Sequence, residues 1–320
     1  MTRKSPIPIT LLTGFLGAGK TTWLSQALAD ETAGDTAVLV NEFGEVGIDH
    51  LLVGTIAPDT VLLNSGCVCC QIRGELKDAI LTLLSQAEAG DVPPFEKIVI
   101  ETTGLADPAQ ILSTLMFDPV LHNQVRLQNV VTIADAQNGA SVHAAQPEWV
   151  AQVAAASVIL ISKTDLVPPA RLQGLRMRLS LVNPTALQQD VQDCRRFQDI
   201  QAPASLVPMQ SGATTHRDGT QANTLCLTQE GAVDWTRFVV WLSALIHRHG
   251  NTLMRVKCLL NTQDAGVVLI DGVGHTLHPP RHLDSEIVSD EKSYLVFIAR
   301  DLDMALVRAS FEAYVIDAAA

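Results

Sequence analysis

The sequence predicts an α/β chain: a mainly parallel sheet flanked by helices, followed by a smaller C-terminal α+β domain. Three observations carry this expectation. The first half alternates short β-branched apolar runs with longer stretches of helical apolar spacing, which is the rhythm of βαβ units. From Leu187 to Glu230 that rhythm gives way to Gln, Asp, Thr and Gly with prolines at 203 and 208, the composition of a connection between domains. At 320 residues the chain also exceeds the usual domain of about 100–200 residues. With 47% hydrophobic and 18% charged residues it can bury a sizeable core.

Taken in order, Ile7 to Thr13, Ala37 to Val40, Lys97 to Ile100, Val130 to Ala134 and Val158 to Ile161 read as buried strands, short and almost free of charge. Helices are expected between them. Thr21 to Ala29 and Arg73 to Ala87 have helical apolar spacing, the second through Leu76, Ile80, Leu83 and Leu84. The last portion reads as a helix from Trp235 to His247, strands at Met254 to Leu260, Gly266 to Gly272 and Tyr294 to Ala299, and a helix from Met304 to Val315. The expected division is residues 1–200, a linker over 201–230 with room for one short strand, and residues 231–320.

The balance of 22 basic against 34 acidic residues gives a formal net charge of −12, which disfavours attraction to nucleic acid or anionic lipid through the bulk field. No apolar stretch approaches the roughly 20 residues of a membrane span, and Met1 to Pro6 leads into a β-like segment rather than a secretory signal. A cytoplasmic protein without nucleic-acid or membrane partners is expected. Six cysteines are too few for a disulfide scaffold, and three of them crowd into four positions, where metal or redox chemistry fits better.

Gly14-Phe15-Leu16-Gly17-Ala18-Gly19-Lys20-Thr21 matches GxxxxGK[ST] between an expected strand and an expected helix, the context a phosphate-binding loop requires. Its glycines let backbone N–H groups turn onto phosphates, the helix N-terminus adds its dipole, and Lys20 bridges the terminal phosphates. Thr21, next to Thr22, supplies a hydroxyl for Mg2+. This places a P-loop NTPase domain in the first part of the chain. Ile98 to Gly104 then ends a strand in Glu101, a carboxylate positioned to meet Mg2+ or a water. Gly104 would let the backbone approach a γ-phosphate, and Lys20 and Glu101 are the candidate catalytic residues.

Val158 to Asp165 is another buried strand ending in a polar tripeptide, Lys163-Thr164-Asp165. It is either an exposed strand-end turn or a base-reading loop similar to the guanine-specificity sequence NKxD, with Ser162 in the place of Asn. A carboxylate can accept from guanine N1–H and N2–H2, which adenine does not offer, so Asp165 would select GTP over ATP. Lys163 would stack along the base. Val207 to Ala213, with Ser211-Gly212, is a weaker candidate for backbone contacts to the base.

Asn64-Ser65-Gly66-Cys67-Val68-Cys69-Cys70 lies just before the helix beginning near Arg73. A helix N-terminus lowers thiol pKa, so Cys67, Cys69 and Cys70 can offer three thiolates to a soft divalent ion such as Zn2+, leaving one tetrahedral position open. Packed or redox-active thiols are the alternative. Between the two motifs, Asn41 to Asp49 carries Glu42, Glu45 and Asp49, either as a solvated acidic loop or as groups reaching Mg2+, water or the metal; Glu45 is slightly favoured as a catalytic residue.

Together these residues resemble the CobW-type P-loop GTPases, the family that includes proteins of cobalamin synthesis, zinc-linked metallochaperones and relatives of nickel-enzyme maturation factors. The resemblance covers Gly14 to Thr22, Asn41 to Asp49, Gly66 to Cys70, Glu101 to Pro108 and Ser162 to Asp165. It extends to Leu253 to Lys257 and Gly272 to Pro280, which look like the family's C-terminal domain. It implies GTP hydrolysis with Mg2+, coupled to delivery of Zn2+ or Co2+ to a client metalloprotein that docks on the C-terminal domain, and it admits a homodimer. His275 and His278 lie in that domain's turn and stay outside the primary metal set. Turnover is expected to be slow without a partner, since no intrinsic arginine finger is evident. The competing classes are an ATP-dependent P-loop kinase or ligase and a redox-regulated interaction protein.

Overall fold

The structure, a computed structural model, describes residues 5–29, 35–41, 61–65, 72–139, 146–200, 214–217, 222–283 and 292–316. Two compact units divide the chain: Met1–Arg176 with Ala186–Ala202, and Met177–Thr185 with Pro203–Ala320.

The first unit is built on a seven-stranded sheet. Its strands are β1 (Ile7–Thr13), β2 (Thr36–Asn41), β3 (Val61–Ser65), β4 (Lys97–Glu101), β5 (Val125–Asp135), β6 (Val158–Ser162) and β7 (Leu187–Asp190). They lie in the order β3-β2-β4-β1-β5-β6-β7, and every pair is parallel. Parallel neighbours need long crossovers, and five helices supply or follow them: α1 (Lys20–Leu28), α2 (Ile72–Ala89), α3 (Pro108–Phe117), α4 (Pro147–Ala155) and α5 (Pro169–Val182). Alternate strand residues face opposite ways. Leu12, Val38, Val40, Val99, Val131, Ile133, Val158 and Leu160 pack on Trp23, Leu24, Ala27 and Leu28 of α1. Ile9, Leu11, Leu39, Ile98 and Ile100 are equally buried on the alternate positions. Burial on both faces explains the continuous apolar runs of these strands.

The direction of the strands also fixes where polar groups can collect. Leu12 pairs with Glu101, Val40 with Glu101, and Asp135 with Ser162, so the carboxyl ends of β1, β2, β4, β5 and β6 form one edge, where ligands bind in open α/β sheets.

The second unit has its own antiparallel sheet. Its strands are β8 (Thr214–Arg217), β9 (Ala222–Glu230), β10 (Leu253–Thr262), β11 (Gly266–Val273), β12 (Thr276–Leu277), β13 (Arg281–Leu283) and β14 (Lys292–Arg300). The order is β12-β11-β10-β14-β9-β8, with β13 also on β11. Helices α6 (Trp235–His249) and α7 (Met304–Phe311) bury Phe238, Trp241, Leu242, Val307 and Phe311 against Val256, Cys258, Leu260, Ile270, Leu295 and Phe297. Asp234 and Asp303 cap these helices by accepting from the Arg237 and Ala305 N–H groups at 2.9 Å each.

Several expected bounds shift. Strand β5 is longer than Val130 to Ala134 and ends on Asp135. Residues 222–230, expected inside the linker, form the nine-residue strand β9, paired along its whole length with β14. Leu225 and Leu227 face the core on either side of Cys226, a period-two signal hidden by the polar composition around it. The expected helix from Met304 to Val315 is α-helical to Phe311 and continues as a π turn over Glu312–Ile316.

Candidate functional site

The loop from Gly14 to Lys20 leaves β1 and enters α1. Gly14, Gly17 and Gly19 have φ of 145°, 71° and 96°, a region that side chains rarely adopt, so the loop closes only with glycine at these points. Ala18 N–H donates to Phe15 O at 3.1 Å. Lys20 Nζ folds back over the loop and donates to the Gly14 carbonyl at 3.0 Å and the Phe15 carbonyl at 3.4 Å.

Glu101 ends β4 almost fully buried and accepts from Thr21 Oγ1 at 2.9 Å. The two oxygen groups that a hard divalent cation would need are thus in contact. Beyond Glu101, Thr102 Oγ1 donates to Thr13 Oγ1 at 2.9 Å and Thr102 N–H to Leu12 O at 2.9 Å, holding the turn against β1. Gly104 lies so close to the phosphate loop that a Cβ on it would stand 2.6 Å from Leu16 N. Glycine is required there by contact rather than by backbone angle.

The base-reading candidate follows β6. Ser162 Oγ, buried, donates to Ala18 O at 2.7 Å. Lys163 adopts a left-handed φ of 57°, and its Nζ donates to Gly17 O at 2.8 Å and Asp135 Oδ2 at 2.7 Å. Asp165 lies exposed in the turn Thr164–Leu166. A cavity of about 1060 Å³ opens between the two loops, lined by Ala18, Gly19, Thr22 and Trp23 on one side and by Ser162, Lys163, Thr164 and Asp165 on the other.

Two residues of this site were not anticipated from the sequence. Asp135 is 1% exposed. Burial alone would raise its pKa, but hydrogen bonds from Lys163, the Gln137 N–H at 2.7 Å and Asn138 outweigh burial and hold the carboxyl below its usual value. Its signal was the first polar residue after the apolar run of β5. Gln152, on α4 and fully buried, donates through Nε2 to the Gly104 carbonyl at 3.0 Å and the Ala106 carbonyl at 3.1 Å. Nothing in an Ala-rich helical segment distinguished it.

The structure therefore brings together Gly14, Gly17, Ala18, Gly19, Lys20, Thr21, Glu101, Gly104, Ser162 and Lys163, with Thr22 and Asp165 on the cavity wall. Cys67, Cys69 and Cys70, the loop with Glu42, Glu45 and Asp49, and the stretch from Val207 to Ala213 lie outside the described residues. Among the described residues no group of three His, Cys, Asp or Glu side chains could hold a metal ion, and no helix is long and apolar enough to cross a membrane. His275 is exposed. His278 is largely desolvated, which lowers its pKa, with Asp271 opposing and Arg255 and Arg281 adding to the shift.

Comparison with known proteins agrees with this layout. The family model for the CobW/HypB/UreG nucleotide-binding domain matches residues 8–188, and that for the cobalamin synthesis protein CobW C-terminal domain matches residues 222–315. The chain is 40% identical over 182 residues to the zinc chaperone YjiA of Escherichia coli, covering 57% of this chain and 56% of that one. It is 32% identical over 185 residues to the zinc-regulated GTPase metalloprotein activator 1 of Schizosaccharomyces pombe, covering 56% and 44%. These alignments span about half the length of each relative. The crystal structure of Zn(II)-bound YjiA GTPase from E. coli superposes with a TM-score of 0.74 at 25% identity, over 97% of this chain and 99% of that one.

Proposed function

The chain belongs to the CobW/HypB/UreG family, and from that premise we propose that it binds and hydrolyses GTP and uses the nucleotide cycle to govern capture and delivery of zinc to a client metalloprotein. The observation that carries the nucleotide half is the pair of hydrogen bonds tying the base loop to the phosphate loop, Ser162 Oγ to Ala18 O and Lys163 Nζ to Gly17 O. Bases and phosphates of one nucleotide would then be held by loops that move as a unit. A guanine in the cavity would offer N1–H and N2–H2 to Asp165, a match that adenine lacks.

The residues present fit a Mg2+ nucleotide. Thr21 and Glu101 offer hard oxygen donors already in contact, and the glycines leave the phosphate loop without Cβ atoms in its way. Thr21 and Glu101 would hold Mg2+, which would supply positive charge to offset that of the terminal phosphates. In hydrolysis the oxygen of water bonds to the γ-phosphorus while the bond to the β–γ bridging oxygen breaks, leaving GDP and inorganic phosphate. Lys20 exchanges the Gly14 and Phe15 carbonyls for phosphate oxygens and offsets their charge. Gly104 N–H approaches the γ-phosphate, held by the grip of Gln152 on the Gly104 and Ala106 carbonyls. Glu45 is assigned the orientation of the attacking water.

For the cargo, three thiolates from Cys67, Cys69 and Cys70 suit zinc and leave a position through which the ion can be passed on. The descriptions of the relatives favour zinc over cobalt. Strands β2 and β3 end at Asn41 and Ser65 on the same edge as Gly14, and in the sequence the acidic loop follows the first and the cysteine run the second. Client docking is assigned to the C-terminal domain, and a homodimer is an assembly the reading admits.

One experiment tests both halves: zinc affinity by chelator competition with GDP, a nonhydrolysable GTP analogue and the matching ATP analogue. The GTP analogue should change zinc affinity relative to GDP by about 5–150-fold, the usual range of coupling between sites. The ATP analogue should leave it unchanged, and Asp165→Asn should abolish the response to the GTP analogue. Equal zinc affinity with all three nucleotides would overturn the coupling; a response to the ATP analogue alone would overturn the guanine assignment.

A further inference from the structure

The face of the second sheet opposite α6 and α7 carries a row of charge. Directly opposed residues on antiparallel strands share a face, and Lys257 of β10 opposes Asp271 of β11. The His278 N–H donates to the Asp271 carbonyl at 2.8 Å, which extends the row by one residue. Arg255 lies two residues from Lys257 on the same face, and Arg281 opposes Leu269, one pair further along.

These charges do not balance. Arg255, 2% exposed, takes the only carboxylate of the row among the described residues, with Nη2 at 2.9 and 3.0 Å from the two oxygens of Asp271. Lys257 is 6% exposed, and among the described residues its ammonium has neither a hydrogen-bond nor an ion-pair partner. Burial, then the like charge of Arg255, lower the pKa of Lys257 to about 8, with Asp271 opposing and Arg281 adding to the shift. A buried cation without a counter-ion is costly, and among the described residues this one has none, in a chain of net charge −12. Arg281 is exposed and Asp271 partly so, which leaves one flank of the row open to solvent.

We propose that Lys257, Arg255 and Arg281 form an oxyanion-binding site on the sheet face opposite α6 and α7, entered from the flank where Arg281 and Asp271 reach solvent, taking a phosphate or carboxylate group. Lys257 donates to the oxyanion from the floor and Arg281 from the rim, while Asp271 orients Arg255 and keeps the site from closing on an internal carboxylate. The site is independent of the nucleotide reading, since none of its residues belongs to the nucleotide edge.

The test uses the full chain carrying Lys20→Ala, so that the phosphate loop does not answer for the sheet. Inorganic phosphate and succinate are titrated by calorimetry at fixed ionic strength. At least one of the two should bind; phosphate alone identifies a phosphate-bearing ligand, and succinate alone a carboxylate-bearing one. Adding Lys257→Met should weaken binding by at least about tenfold, as expected when one partner of a buried charge pair is removed. Arg281→Gln, on the exposed rim, should weaken it by about threefold. If neither anion binds, or if both substitutions leave the affinity unchanged, the site does not exist. Should Lys257→Met fail to fold, Arg281→Gln decides alone: an unchanged affinity in that variant overturns the proposal.

Discussion

The two sheets place polar groups by different rules. In the parallel sheet, both faces of β1, β4 and β6 are buried, so a chemically useful side chain can appear only where a strand runs out. Glu101, Asp135 and Ser162 each close a strand, and Gly14 to Lys20 and Lys163 to Asp165 follow one. Because all strands point the same way, these ends meet on one edge. In the antiparallel sheet, α6 and α7 cover one face with an aromatic core, Trp241 lying 5.6 Å from Phe297 and 5.3 Å from Phe311 between ring centroids. Its other face holds a cross-strand row of charge in mid-strand, at Arg255, Lys257 and Asp271. Strand direction, rather than strand number, decides whether chemistry sits at an edge or on a face.

The largest expected effect lies at the edge itself. Lys20→Ala removes the cation proposed to neutralise the terminal phosphates, and hydrolysis should fall by about 10²–10³-fold, the loss seen when one preorganised charge-stabilising donor is deleted. No strand interior contains Lys20, so unfolding of the C-terminal unit should be unaffected. Steady-state phosphate release and a denaturant melt followed through the tryptophans check the two halves. If hydrolysis persists in the variant, the edge does not carry the chemistry.

The phosphate loop was legible because its chemistry is written in one contiguous string whose flanks, an apolar strand and a helix, can be read with it. Glu101 and the Ser162-Lys163-Thr164-Asp165 turn were legible for the same reason. What the string could not give was partnership. Lys163 reads as a residue that stacks on a base, yet its ammonium spans to Gly17 O and Asp135, contacts 146 and 28 residues away in sequence. Ser162, a departure from the usual Asn, reaches Ala18 across 144 residues. Asp135 escaped notice because the apolar run stopped at Ala134 while the backbone pairing continued one residue further. In the second unit, β9 was hidden by its polar surroundings, and the imbalance around Lys257 needed the register of β10 on β11 to become visible.

A milder break tests whether the two loops of the edge act together. Asp135→Asn keeps the shape of the side chain but removes the charge that Lys163 meets. A charge-assisted hydrogen bond contributes about 1.5–3 kcal/mol, so guanine-nucleotide affinity should fall by about tenfold. The Asp135 pKa is lowered in the folded state, so its stabilisation is fully present above the unfolded carboxylate value near 3.9. It is lost as pH falls through the lower folded value. The unmutated chain should therefore lose stability more steeply with acid below about pH 4 than the Asn variant does. Parallel acid-dependent melts of the two proteins would refute the assignment.

The smallest expected effect separates a strand-end group from the helix that positions it. Gln152 belongs to α4, touches neither strand end, and acts through two carbonyls, Gly104 O and Ala106 O. Its own Oε1 is buried with no hydrogen-bond partner among the described residues, so the amide is retained despite a desolvation cost on one of its atoms. Gln152→Leu keeps the volume and strips both carbonyls of their donor. Each unsatisfied buried group costs about 1–3 kcal/mol, partly offset by relief of Oε1, and a net loss near 1 kcal/mol would lower the melting temperature by about 2–4 °C. A packing residue would stop there. A residue that holds the Gly104 turn against Leu16 should also reduce kcat for GTP by about threefold while leaving KM nearly unchanged, since an interaction made only in the transition state is lost from kcat. A lower melting temperature with kcat intact would leave Gln152 to the core and restrict the catalytic edge to the strand ends alone.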